Sequence, residues 1–232
     1  VSAEEDLGRP LLVAEDLVKS FGVTRALDGA SLRVFPGEVL ALTGPSGSGK
    51  STLLHCLSGV IAPDSGRVGY AGHDVVAMSD RHRSALRRSA FGFVFQFGQL
   101  VPELTCLENV ALPLRLAGVR RATASARAAE LLDRLEVADV ADKRPGQASG
   151  GQGQRVAVAR ALITEPRVIF ADEPTGALDS RNGERVMRLL IAAAKERGAA
   201  VVLVTHEAQI ASFADREAVF RDGKVAGSAM AR

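Results

Sequence analysis

The chain has 232 residues, enough for one large α/β core, and its 29 Lys and Arg against 27 Asp and Glu leave a formal charge of only +2. That balance excludes the dense basic field of a dedicated nucleic-acid binder, and no Trp, one Tyr and nine Phe leave little for base stacking, so no nucleic-acid partner is expected. Cys56 and Cys106 stand far apart in no ligand spacing, which argues against a zinc site or a disulfide framework and for a reducing cytosol.

The opening VSAEEDLGRP is acidic and polar rather than basic and then apolar. No run approaches the roughly 20 apolar residues of a membrane-spanning helix, so the expectation is a soluble chain that acts on membranes through a partner. Leu11 to Val18 and Ala30 to Val34 read as strands, and Pro36-Gly37 turns into the apolar run Val39 to Thr43. Glycines follow, then a helix over Lys50 to Leu57. Arg81, Arg83, Arg87 and Arg88 read as a solvated helix face, with a contact to membrane phosphates or a partner as the alternative.

Between Pro102 and Arg134 the pattern turns helical, with Leu107, Val110, Ala111 and Leu114 on one face and Leu131, Leu132 and Leu135 on another. After Pro145 a Gly-rich turn opens a helix to Thr164, which Pro166 ends, and Val168 to Ala171 is a buried strand. Ser180 is the expected cap of a helix through Arg197, with Gly198 as its stop and Ala199 to Val204 as the next buried strand. Val219 to Arg221, Asp222-Gly223 and Lys224-Val225 form a hairpin signal. Strands alternating with helices imply an α/β fold with a mostly parallel, doubly covered sheet, an antiparallel β portion and a helical insertion.

Two motifs carry chemistry. Gly44-Pro45-Ser46-Gly47-Ser48-Gly49-Lys50-Ser51 satisfies G-x-x-x-x-G-K-[ST] between a strand and a helix. Its amides can cradle phosphates at the positive end of the helix, Lys50 can reach the β and γ phosphates, and the Ser51 hydroxyl can ligate Mg²⁺. The buried run Val168 to Ala171 ends in Asp172-Glu173, where an unpaired carboxylate would be costly without a cation nearby. Asp172 is placed for the Mg²⁺ shell and Glu173 for orienting or deprotonating the attacking water. These motifs alone leave a kinase, a GTPase and a transport motor open.

Ala148-Ser149-Gly150-Gly151-Gln152 narrows the choice, because it resembles the L-S-G-G-Q signature of ATP-binding cassette (ABC) proteins. The resemblance spans nearly the whole chain as a single ATPase domain, 1–232, on a phosphate-loop NTPase core, with about 97–160 as an inserted helical subdomain carrying the signature. It implies that Phe21 stacks on adenine, that Gly44 through Thr52 hold the nucleotide, and that Gln96 is a catalytic amide that also reaches the metal with Ser51 and Asp172. It further implies that Lys50, Glu173 and His206 are catalytic. Ser149, Gly150, Gly151, Gln152 and Asp179 would meet the nucleotide of a second copy, so that two chains sandwich two ATP molecules.

Taken alone, Phe21 is an ordinary strand aromatic and Gln96 a surface amide, while His55, His73 and His82 match no motif and read as structural or solvated. Ala148 in place of Leu and Gly153 after Gln152 depart from the signature and predict a looser helix start and weaker dimer closure. Phe21 replaces the commoner Tyr and loses only a hydroxyl.

Phe91 to Gln96, Leu104-Thr105, Leu107 to Val110 with Pro113-Leu114, and Ala171 to Ser180 resemble the branch of macrolide exporters, lipoprotein-release ATPases, peptide-detoxification pumps and the cell-division ATPase. That resemblance implies a peripheral subunit at the cytoplasmic face of the membrane, beneath a permease that has a large extracytoplasmic domain and a cytosolic helix docking between the segment around Gln96 and the helical insertion, near Phe97 to Cys106. Export or extraction of an amphiphile is the leading expectation, with transmembrane signalling without transport as the alternative. A soluble cassette protein of translation or DNA repair is disfavoured, because this chain has neither a second cassette nor a coiled-coil insertion.

Overall fold

A computed structural model describes residues 8–230. The chain opens with an antiparallel sheet of order β2-β1-β4-β5, formed by β1 (Leu12–Phe21), β2 (Thr24–Val34), β4 (Ser65–Tyr70) and β5 (His73–Asp74). β1 runs three residues past the expected Val18, and β2 starts at Thr24 rather than Ala30. The reason is irregular pairing: Asp16 sits at φ 49 and the β1–β2 register shifts between Ala14 and Leu17, between Leu17 and Val18 and again after Lys19, so the inside-outside alternation breaks without the ladder ending.

The second sheet has order β10-β9-β3-β8-β7-β6. β3 (Val39–Thr43), β6 (Phe91–Phe95), β7 (Val168–Asp172), β8 (Ala200–Val204) and β9 (Arg216–Arg221) pair in parallel, and β10 (Lys224–Met230) turns back on β9 through Asp222-Gly223 as expected. Among the parallel strands β6 and β8 are free of charged residues and β3 and β7 are apolar up to their last residue, because both faces of the sheet are covered there, whereas β9 carries Arg216, Glu217 and Arg221. Along β3, Val39 and Ala41 enter a core shared with the helices of the insertion, while Leu40 and Leu42 enter a core shared with the antiparallel sheet.

α1 (Lys50–Leu57) follows β3, and α2 (Asp80–Ala90) leads into β6 behind an N-cap at Ser79. Between β6 and β7 come α3 (Cys106–Leu116), α4 (Arg121–Arg134), two short 3-10 turns at Ala138–Val140 and Pro145–Gln147, and α5 (Gly150–Leu162). Thr105 and Glu108 close a capping box on α3. α6 (Ser180–Glu196) is capped not by Ser180 but by Asp179, whose carboxylate accepts from the Asn182 amide at 3.0 Å and from Asn182 Nδ2 at 2.6 Å. A carboxylate is at least as good a cap as a hydroxyl, and it also suits the positive end of the helix. α7 (Ala208–Ala211) is a single turn. Among the described residues no helix is long and apolar enough to cross a membrane.

Candidate functional site

The phosphate loop is held between two strands that the motif does not mention. A Cβ on Gly44, which has φ 138, would come within 2.0 Å of the Phe220 carbonyl oxygen on β9, and one on Gly49, at φ 107, within 2.2 Å of the Ala26 oxygen on β2. Glycine is therefore required at both positions for close approach as well as for backbone angle. The β9–β10 turn adds a direct brace, the Gly223 amide donating to the Ser48 carbonyl at 3.1 Å.

Inside this frame Lys50 is buried, and its Nζ donates to the Gly44 and Pro45 carbonyls at 2.9 and 2.7 Å. Burial lowers the Lys50 pKa, while Glu173 and Asp172 oppose that shift. The Ser48 hydroxyl is buried without a partner. The first turn of α1 carries no side-chain cap and no acidic residue, so its amide donors and positive end face the loop interior. An anion is what this arrangement suits.

β7 delivers the carboxylates. Asp172 ends the strand and its Oδ1 accepts from Ser51 Oγ at 3.0 Å, joining positions 121 residues apart in sequence. Burial raises the Asp172 pKa and the Ser51 hydrogen bond partly offsets it. Glu173 follows at φ 46, a strained angle for a non-glycine residue, held by its amide donating to Val204 O at 3.0 Å and by its carbonyl accepting from Gly176 N at 3.1 Å. The bend turns the Glu173 side chain towards His206 at the end of β8, with His206 Nδ1 3.2 Å from Glu173 Oε1. Ser51, Asp172, Glu173 and Gln96 share one cleft of about 500 Å³. Gln96 packs on Gly176, where a Cβ would lie 2.8 Å from its Nε2.

His55 also lines this cleft, one turn beyond Ser51 on α1, and its charge lowers the Asp172 pKa. The solvated or structural reading of His55 misses this. The i, i+4 spacing from Ser51 on one helix was the available signal.

The signature segment lies elsewhere on the chain. Ser149 caps α5, accepting from the Gln152 amide at 3.3 Å, and Gln152 Oε1 accepts from the Ser149 amide at 2.9 Å. Gln152 Nε2 donates to Asp139 at 3.0 Å, so this side chain is committed to holding the helix start. Despite the departures at Ala148 and Gly153, the capping box at this helix start is complete and Ala148 packs against the core. Gly150 and Gly151 face Leu178 and Asn182, which ties the signature to the segment around Asp179. Phe21 projects from the end of β1 and is 51% exposed.

A phosphate loop on a parallel sheet, a buried acid beside its serine, a glutamate and histidine at neighbouring strand ends and a capped Gly-rich helix define a cassette-type ATPase. Residues 27–176 match the family described as ABC transporter. The chain belongs to that family: it is the ATP-binding subunit type of an ABC transporter and hydrolyses ATP.

Among its relatives is the lipoprotein-releasing system ATP-binding protein LolD of Bacteroides fragilis, 44% identical over 211 residues that cover 91% of this chain and 98% of that protein. The macrolide export ATP-binding/permease protein MacB of Marinobacter nauticus is 43% identical over 221 residues, 94% of this chain but 34% of that protein. A dimeric post-hydrolysis ATP-binding cassette bound to ADP and Pi is similar in structure, with TM-score 0.88 and 38% identity over 95% of this chain and 99% of that one.

Proposed function

We propose that this chain energises the extraction or export of an amphiphilic molecule through a separate permease, as a nucleotide-dependent dimer at the cytoplasmic face of the membrane. The observation that carries the reading is an apolar groove of about 490 Å³ between β6, α2, α3 and α5, lined by Phe91, Phe93, Phe95, Leu112, Pro113 and Leu116 and rimmed by arginines. Leu116 in this groove is exposed, as is Phe97, which lines the neighbouring cleft with Gln96. A groove of this kind suits an amphipathic helix, and a cytosolic helix of the permease is its occupant in this reading. The name lipoprotein-releasing of one relative and the joined ATP-binding and permease name of another point the same way. The permease's large extracytoplasmic domain belongs to the same proposal.

In this reading residues 1–232 form a single ATPase domain with about 97–160 as its helical subdomain, and movement of docked helices follows dimer closure. Phe21 stacks on adenine, and Gly44 through Thr52 hold the phosphates. Ser51, Asp172 and Gln96 hold Mg²⁺, which neutralises phosphate charge. A hydroxyl, a carboxylate and an amide oxygen are hard donors that suit this ion.

Glu173 takes the proton of the attacking water and His206 donates to the γ-phosphate. Ser149, Gly150 and Gly151 of the second copy close the site, with Gln152 fixing their helix and Asp179 at the interface.

Affinity capture of the full chain from membranes tests the reading. Recovery of a permease with ATP-dependent substrate release supports it, recovery without any substrate movement favours the signalling alternative, and recovery of ribosomes or DNA without a permease removes both.

A further inference from the structure

β1 outruns its neighbour β4, which begins at Ser65 opposite Val18. The last residues of β1 therefore keep a ladder partner on one side only, with Ser20 opposite Arg25 and Phe21 opposite Thr24 on β2. Asp64 occupies the other side. Its carboxylate accepts from the Ser20 amide at 2.7 Å and from Lys19 Nζ at 2.8 Å, and its own amide donates to the Val18 carbonyl at 2.8 Å. One residue thus stands in for the missing strand. Lys19 Nζ in turn lies 5.7 Å from the centre of the Phe21 ring, within cation–π range.

An exposed Lys–Asp pair by itself contributes little. The backbone bonds at Ser20 and Val18 set this one apart, because they fix the edge of the strand that carries Phe21. We propose that Asp64 and Lys19 are positioning residues for base recognition: Asp64 holds the tip of the β1–β2 hairpin, and Lys19 steadies one face of the Phe21 ring so that the opposite face meets the nucleotide base. This rests on the reading of Phe21 as the adenine platform. Neither residue touches the phosphates in this arrangement, so their contribution attaches to the base alone.

Equilibrium titrations of the full chain with ATP and with inorganic triphosphate, on wild type, Asp64→Ala, Lys19→Met and Phe21→Ala, test it. The expected result is an ATP affinity about three- to tenfold weaker in all three variants, the worth of one aromatic contact, with triphosphate affinity unchanged. Asp64→Asn, which keeps an acceptor for the Ser20 amide, recovers part of the loss. Wild-type ATP affinity in Asp64→Ala and Lys19→Met beside a weakened Phe21→Ala overturns the proposal and leaves the platform standing. Wild-type affinity in Phe21→Ala removes the platform and the proposal with it. Equal losses for ATP and triphosphate in Asp64→Ala show a general structural defect and also overturn it.

Discussion

Glu173 Oε1 and His206 Nδ1 lie 3.2 Å apart at the ends of β7 and β8, two parallel neighbours in the sheet. In the proposed mechanism this contact brings the base for water and the donor for the γ-phosphate together, so the two are expected to act on the same bond. Replacing Glu173 with Gln keeps a similar shape and removes the proton acceptor. Turnover of Glu173→Gln should fall by about 100-fold or more while ATP still binds, and an ATP-bound dimer should accumulate on size exclusion. Near wild-type hydrolysis would take Glu173 out of its role.

Asp172 is buried at a cost to the protein, one that the cation of the proposed mechanism would offset. Burial raises its folded pKa above the usual carboxylate value. Between the unfolded and folded pKa values the native state binds more protons, so this group's contribution to stability falls as pH rises through that window and stays unfavourable at neutral pH. Asp172→Asn should therefore match or exceed the wild-type Tm without nucleotide, and should lose the extra stabilisation that Mg²⁺ and ATP together give wild type. A thermal melt with and without Mg-ATP reads both; a clearly lower Tm without nucleotide would contradict the charge argument.

The loop glycines should differ sharply in cost. At Gly49 an added Cβ collides with the Ala26 carbonyl, whereas at Gly47, at φ 74, it meets nothing within 4 Å. Gly47→Ala should lose about 1 kcal/mol from the backbone angle alone, and Gly49→Ala about 3 kcal/mol or more together with nucleotide binding. Urea unfolding of the two variants would separate them, and equal losses would show that β2 does not brace the loop.

Gly153 lies in the first turns of α5, with open space around a Cβ. Gly153→Ala should gain about 1 kcal/mol of stability from helix propensity, raising Tm by about 2–4 °C at this chain length. Since the capping box already orders the helix start, ATP-driven dimerisation should not change; a large gain in dimer affinity would revive a loose signature.

The phosphate loop, the acid pair at the end of β7, the histidine after β8 and the β9–β10 hairpin were legible because each is a local pattern. Eight consecutive residues suffice to curl a backbone around a phosphate, and a short apolar run ending in charge suffices to mark a strand end. The length of β1 was not legible, because the bulge at Asp16 breaks the alternation that marks a strand. Nor was the cap of α6, where Asp179 and Ser180 both suit the position and only the backbone angles choose between them. His55 looked idle because its helix neighbour Ser51 meets its acid partner only across the sheet.

By itself the sequence determined the chemistry: an anion cradle, a basic residue within it, two carboxylates, and a second Gly-rich helix start. The tertiary structure decided which of these meet. Strand order β3-β8-β7 carries Asp172 across β8 to Ser51, and β2 and β9 close on Gly49 and Gly44 from outside the motif. It also separated Ser149 to Gln152 from the loop, with Gln152 bonded to Asp139 and Gly150 and Gly151 against Leu178 and Asn182. The physical reason is range: backbone curvature and capping are settled within a few residues, whereas strand neighbours and the burial of Lys50 depend on pairings between segments more than a hundred residues apart.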